Sequence, residues 1–242
     1  MKLRIATDSL ARLKQGRTIA LTGAGISADS GMPTFRGNNG LWKKYRPEEL
    51  ATPSAFSQNP QLVWEWYSWR LEKLISVVPN EAHFALAQLE KMEILELIIS
   101  QNVDDLHERA GTSKILKLHG SIIHTKCIEC NKKEQIAKPP RAIPYCECGG
   151  MLRPDVVWFG ESLSPKIQDE AFQEAATCDN MLIIGTSGIV YPAAFLPNIA
   201  KKEGAMIIEF NVAPTAITPL ADYFIAAPAA ESLPKFLANF QS

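Results

Sequence analysis

Four short runs of this chain are too uniformly apolar to sit on a surface. They are RTIALT (17–22), ILELIIS (94–100), NMLIIGTS (180–187) and AMIIEFN (205–211). Runs of this length, rich in Ile and Leu, predict strands buried on both faces. Between them lie segments whose apolar residues recur at helical spacing: ATDSLARLKQ (6–15), EAHFALAQLEKM (81–92), SPKIQDEAFQEAATC (164–178) and AAFLPNIAKKEG (193–204). KILKLHG (114–120), VVWFG (156–160) and ADYFIAA (221–227) read as further strands, and VDDLHERAG as a short helix closed by glycine. Strands alternating with helices predict an α/β fold with a parallel sheet covered on both sides. No internal repeat or low-complexity tract interrupts it.

Two stretches break the alternation. Residues 38–80 are rich in aromatics and prolines and read as helices and loops. Residues 121–154 are rich in cysteine, lysine and proline, with little apolar periodicity. Four of the five cysteines fall there, as Cys127-x-x-Cys130 and Cys146-x-Cys148. Four close thiolates suit tetrahedral zinc, and so apolar-poor a segment needs such a staple to fold. A closed thiolate set leaves no open position, which makes the zinc structural. His124 is the alternative ligand should one arm of the shorter C-x-C pair be misplaced. Cys178 reads as a small core residue.

Composition narrows the partners. Hydrophobic residues make up 46%, charged residues 21%, and the net charge is -1. That balance gives no electrostatic case for nucleic acid or an anionic membrane. No run has the length of a transmembrane helix, and the N-terminus has no signal-peptide core. A cytoplasmic, reducing setting is the expectation, and the oligomeric state is left open, monomer included.

The strand RTIALT runs into T-G-A-G-I-S-A (22–28). Gly23 and Gly25 allow a tight turn and close backbone approach to a pyrophosphate, and Ala28 takes the small-residue position of helix-on-strand packing. The acidic partner expected about 20 residues later is missing, which argues against an ordinary dehydrogenase. GTS (185–187) and EFN (209–211) stand at the carboxyl ends of strands, the ligand-binding edge of such sheets. Of four histidines, His83 and His107 sit on predicted helices and read as structural. His119 ends a strand before a glycine at the ligand edge, where it can serve as a general base. Gln101, Asn102 and Asp104 leave the neighbouring strand at the same edge.

GAGISADSGMPTFRG, QNVDDLHERAG, LKLHG, the four cysteines, RPDVVWFGE, GTS and N-V-A, in that order, resemble the sirtuins, NAD-dependent protein deacylases. QNVDD stands where the family often has QN-I-D-G, the second cysteine arm is C-x-C, and EFN replaces I-N. The resemblance implies a Rossmann-like domain (1–37, 81–120 and 155–242) and a small domain built from a helical module (38–80) and a zinc module (121–154). It places Ala24, Phe35 and Arg36 in the NAD pocket, with Gly23 and Gly25 in its turn. Asn102 and Asp104 would bind nicotinamide, while Gln101 and His119 face the ribose. Gly185, Thr186, Ser187, Asn211, Val212 and Ala213 would approach the adenosine end, closed by Ala229. Val157, Trp158, Phe159 and Gly160 would pair with the backbone of an acylated-lysine peptide, as a strand added to an edge. The products would be free lysine, nicotinamide and O-acyl-ADP-ribose.

WEWYSWRLEKL (64–74) bears on the acyl group. Tyr67 and Arg70 lie three apart, so a helix presents both on one side. Leu62, Trp66 and Trp69 are the expected buried face. Arginine offers a permanent, two-pronged partner for a carboxylate, and tyrosine adds a hydroxyl. Tyr67-x-x-Arg70 matches the pair that marks the desuccinylase-like branch of sirtuins, and Ala51 matches its small pocket residue. The resemblance therefore implies removal of succinyl or malonyl groups, with acetyl as a further substrate. A capping or ion-pairing role for Arg70, with Glu72 or Glu49, is the alternative. Predominant deacetylation or protein ADP-ribosylation are the competing activities.

Overall fold

The computed structural model describes residues 4–35, 40–136 and 138–241, without the side chain of Trp42. Six strands form one parallel sheet: β1 (Thr18–Thr22), β2 (Leu97–Ser100), β3 (Ile115–Lys117), β7 (Asn180–Ile184), β8 (Met206–Asn211) and β9 (Tyr223–Ala226). Their order is β3-β2-β1-β7-β8-β9, and each neighbouring pair is parallel. The chain runs outward from β1 to β3, then returns to β7 on the other side of β1. The carboxyl ends of β1 and β7 are thus the switch point at which such sheets bind ligands.

Period-two burial explains why these strands read as continuous apolar runs. Ala20, Ile98, Leu182 and Ile208 pack on one side, against α1 (Thr7–Gln15), α5 (Glu81–Lys91) and α9 (Ala229–Leu237). Ile19, Leu21, Ile99, Ile183 and Ile207 pack on the other, against α7 (Pro165–Thr177) and α8 (Leu196–Lys202). Both faces are covered, so the strands are apolar almost throughout, with Thr18, Thr22, Ser100, Asn180 and Glu209 as buried polar exceptions.

The aromatic stretch forms α2 (Pro47–Leu50), α3 (Pro53–Gln58) and α4 (Pro60–Ser76). Proline opens each, where its missing N–H costs nothing. Thr52 caps α3 through Ala55 N at 3.0 Å, and Asn59 caps α4 through Leu62 N at 3.1 Å. α5 has a capping box in which His83 stands where Glu or Gln is usual.

Three expectations are corrected. The 121–154 stretch is not merely loops: β4 (Gly120–Cys127), β5 (Lys133–Gln135) and β6 (Leu152–Val156) make an antiparallel sheet in the order β5-β4-β6. Pro154 hid β6 in the sequence, yet an edge strand tolerates proline. VVWFG is not a strand beyond Val156, because Trp158 N donates to the Glu161 carboxylate at 2.9 Å instead of to a ladder. GAGISAD winds into a 3-10 helix, Ala24–Ser30, stopped by left-handed Gly31 at φ 96°, and Ala28 is exposed on it rather than packed on a strand. No helix of the described residues is long and apolar enough to cross a membrane.

Candidate active site

The glycine turns at the switch point interlock. Gly25 N donates to Gly185 O at 2.8 Å, and Gly23 N to Ile184 O at 2.9 Å. A Cβ on Gly25 would lie 2.6 Å from Gly185 Cα, and one on Gly23 would lie 2.8 Å from Gly185 O. Gly185 itself is left-handed, at φ 60°. Gly23 and Gly25 are therefore required first by the neighbouring loop, and only through it by any ligand.

Beside them opens a cavity of about 730 Å³. Its sheet-side wall includes Gly23, Ala24, Gly25, Gln101, Asn102 and His119. Gly185, Thr186 and Ser187 follow β7, and Asn211, Val212 and Ala213 follow β8; Ala229 opens α9. Phe35, Ala51, Tyr67 and Arg70 also line it, together with Val157, Trp158, Phe159 and Gly160. Asp104 lies outside this main cavity and borders a small adjoining recess with Ala24, Ser27, Asn102 and Arg70. Arg36 is outside the described residues. The reading from sequence missed Tyr191, Pro192, Pro214 and Thr215, which also line the cavity. Their residue types carry no signal apart from the fold.

His119 hangs by one bond that fixes its chemistry. Its Nδ1 lies 2.8 Å from Gln101 O, a carbonyl that can only accept, so Nδ1 carries the proton. Nε2 is then the lone-pair nitrogen, that of a base. Burial holds the imidazole below its ordinary 6.5, partly offset by the Gln101 bond, so the neutral base is the form present at pH 7. Gln101 is tied across the switch point by its Nε2, which donates to Thr186 Oγ1 at 2.9 Å.

Asn102 and Asp104 share a buried network. Asn102 Nδ2 donates to Gly23 O at 3.2 Å and to Ser27 Oγ at 3.3 Å. Ser27 Oγ in turn donates to Asp104 Oδ2 at 3.0 Å. Burial raises the Asp104 pKa, against the hydrogen bonds from Leu106 N and Ser27. His83 accepts from Asn80 N on Nδ1 at 3.3 Å, which turns Nε2–H toward Ser27 Oγ at 3.5 Å. Burial drives His83 down to about 4. His107 meets Thr22 Oγ1 at 3.0 Å, and Ser100 Oγ accepts from both Thr22 Oγ1 and Asn102 N at 3.2 Å. Both histidines are thus scaffold beneath Asn102, as their helical positions suggested.

α4 corrects one detail of the sequence reading. Its buried residues include Val63, Trp64, Trp66, Tyr67, Arg70, Leu71 and Leu74, so Trp66 is buried as expected and Trp69 half-buried, while Leu62 is 39% exposed. Trp64 Nε1 donates to Leu152 O at 2.9 Å, and Ser68 Oγ to Pro140 O at 2.8 Å, anchoring the helix on the cysteine module. Tyr67 and Arg70 belong to this buried face rather than to a wet edge. Trp158 Nε1 donates to Tyr67 Oη at 3.0 Å. That occupies the phenol as an acceptor and leaves its own proton to be donated. Arg70 is only 5% exposed, its guanidinium 4.5 Å from the Phe35 ring centroid, and its Nε has no hydrogen-bond partner among the described residues. Burial lowers its pKa, against the fields of Tyr67 and Asp104. The alternative ion-pair role finds no support: Glu49 pairs with Arg46 at 3.3 Å, and Glu72 is exposed.

The four cysteine sulfurs converge within 4.8 Å of one another. Cys127 and Cys148 are 3.5 Å apart, and Cys130 and Cys146 3.7 Å. Tetrahedral zinc with Zn–S near 2.3 Å requires sulfurs about 3.8 Å apart, so the set fits a closed structural zinc site. His124 stands on β4 opposite Gln135 and takes no part in the cluster.

A dinucleotide-type parallel sheet, a neutral histidine at its ligand edge and a four-thiolate module define the class of a nucleotide-using enzyme with a structural metal. The Sir2 family model matches residues 23–192, and relatives from Pyrococcus furiosus and Pyrococcus abyssi, each named an NAD-dependent protein deacylase, are 52% and 55% identical. The alignments cover 93% of both chains for the first and 90% of both for the second. The chain belongs to the Sir2 family. Among solved structures, a Sir2 homolog–NAD complex superposes with a TM-score of 0.93 at 45% identity, covering 99% of this chain and 95% of that one. A Sir2 homologue in complex with 2′-O-acetyl-ADP-ribose gives 0.93 at 45% identity, with 98% and 97% covered. Sir2Af2 bound to a myristoylated histone peptide gives 0.81 at 36% identity, with 97% and 95% covered.

Proposed function

We propose that this member of the Sir2 family, an NAD-dependent protein deacylase, prefers dicarboxylic acyl groups such as succinyl and malonyl. The observation that carries this preference is Arg70, a buried cation on the cavity wall whose Nε is unpaired among the described residues. A buried charge without an ion-pair partner is expensive even beside an aromatic ring, whereas a ligand carboxylate beside it would supply that partner. Tyr67 adds an O–H donor, with its acceptor side already taken by Trp158. Ala51, small and buried at the same wall, leaves room for the longer chain.

NAD is a co-substrate, and the reaction releases nicotinamide from the ribose while the acyl oxygen takes its place. Around it, this chain supplies position, dryness and a base. Asn102 and the recess beside Asp104 would hold the nicotinamide carboxamide. His119 Nε2 would take a ribose hydroxyl proton, with Nδ1–H anchored on Gln101 O. Gly185 to Ser187, Asn211 to Ala213 and Ala229 would receive the adenosine end, and Phe35 would close over the ribose. Val157 to Gly160 would pair with the peptide backbone, and the apolar wall excludes water. The four thiolates of Cys127, Cys130, Cys146 and Cys148 hold structural zinc. The same reading divides the chain at residues 38–80 and 121–154 into a small unit, with the remainder as the nucleotide unit, and gives it a reducing, cytoplasmic setting. No nucleic-acid or membrane partner enters this reading.

One peptide bearing acetyl, malonyl, succinyl or glutaryl lysine separates the possibilities. The expected order of kcat/KM places succinyl and malonyl above acetyl, with O-acyl-ADP-ribose as product. Acetyl above succinyl would make the enzyme chiefly a deacetylase, and ADP-ribose attached to protein would indicate a transferase.

A further inference from the structure

Glu209 has no place in the chemistry above, yet it is fully buried in β8. An acid near the end of a strand in a dinucleotide fold ordinarily holds ribose hydroxyls. Here that role is already closed off, because the carboxylate does not line the cavity and both oxygens are engaged. Thr215 Oγ1 donates to Oε1 at 2.6 Å, and Thr218 Oγ1 donates to Oε2 at 2.7 Å. These are lengths of charge-assisted bonds.

Neither hydroxyl is free to turn away. Thr215 Oγ1 accepts from Ile217 N at 3.0 Å, and Thr218 Oγ1 accepts from Thr215 N at 2.8 Å. Two relays therefore run from backbone N–H through a hydroxyl to the carboxylate, and each link polarises the next. They fold the segment after β8 back onto its own strand. The other side of that segment, Val212 to Thr215, forms cavity wall. Its start is fixed as well: Asn211 Nδ2 donates to Thr186 O at 2.9 Å, and Val212 N donates to Asn211 Oδ1 at 2.9 Å.

We propose that Glu209, with Thr215 and Thr218, is a positioning clasp that sets the shape of the adenosine end of the NAD site. It acts through the 211–215 loop and touches no reacting atom. A buried carboxylate demands donors, so only one loop conformation satisfies it. The inference rests on the assignment of Asn211 to Ala213 to the adenosine end.

Thr218→Val, which removes one donor and keeps the side-chain shape, tests it, with Thr218→Ser as the conservative rescue. ADP-ribose binding by calorimetry and steady-state kinetics with saturating acyl peptide are the readouts. The Thr218→Val enzyme should bind ADP-ribose about tenfold more weakly and raise KM for NAD about as much. Its kcat and its KM for acyl peptide should stay within about twofold, and Thr218→Ser should restore binding. Wild-type affinity in Thr218→Val, or failure of serine to restore it, overturns the clasp. A parallel fall of every parameter with the melting midpoint also overturns it, since that is the mark of a folding residue. If the wild-type protein itself does not bind ADP-ribose, the adenosine-end assignment falls first.

Discussion

The two ends of the cleft are built on opposite principles. At the sheet edge, Gln101, Asn102, Asp104 and His119 each already have a protein partner, and behind them Ser27, Thr22, Ser100 and two neutral histidines fix those partners. On the α4 side, Arg70 stands buried beside Tyr67 with its Nε unpaired among the described residues. Satisfied polar groups position a reaction without energetic demand on the ligand. An unsatisfied buried cation selects one, because the ligand itself completes the electrostatics.

The largest effect expected falls at the satisfied end. His119→Ala should lower kcat/KM by about a hundredfold or more for every acyl group, while ADP-ribose still binds. Unequal losses across acyl groups would place the histidine in acyl selection and blur the contrast between the two ends. Arg70→Met comes next. Succinyl turnover should drop by roughly a hundredfold, and acetyl turnover by no more than about threefold, as for removal of one member of a buried charge pair. Equal loss of both would make Arg70 part of the scaffold.

Acid should loosen the sheet edge before the α4 side, through His83. Its folded value near 4 lies below the 6.5 of an exposed ring, so the unfolded chain takes up the proton first. Stability is complete above about pH 6.5 and declines as pH falls toward 4, by roughly 3 kcal/mol. Melting curves of wild type and His83→Gln between those limits check this, and the wild-type excess should shrink as pH falls. A difference independent of pH would show that the ring is not neutral in the folded protein. The smallest effect expected is at Trp158: Trp158→Phe deletes the N–H that orients Tyr67 and should reduce the succinyl-to-acetyl ratio about threefold. An unchanged ratio would leave the Tyr67 hydroxyl out of acyl recognition.

Much of this was legible in order along the chain. The largely apolar runs gave the parallel sheet, because strands covered on both faces have no solvent-facing side to fill with polar residues. The cysteine spacing predicted the thiolate cluster for a similarly local reason. His119 could be singled out because it follows a strand at the ligand edge, although the strand stops at Lys117 and the histidine sits in the turn beyond it. Other features were hidden. β6 was masked by Pro154, which only its edge position allows. Of Leu62, Trp66 and Trp69, expected on the buried face of α4, Trp66 is buried but Leu62 faces solvent, since three tryptophans and a tyrosine leave several faces equally apolar. The cavity residues Tyr191 and Thr215 carried no mark of their site.

Sequence alone determined the strand-and-helix alternation, the four-thiolate module, and the residues brought to the catalytic edge, since each depends on local spacing or composition. Only the tertiary structure decided why Gly23 and Gly25 must be glycine, which nitrogen of His119 keeps its lone pair, and that Arg70 is buried without an ion pair among the described residues. Those properties arise between segments distant in the chain, where one backbone meets another, a carbonyl dictates a tautomer, or a wall of packed aromatics withholds water from a charge.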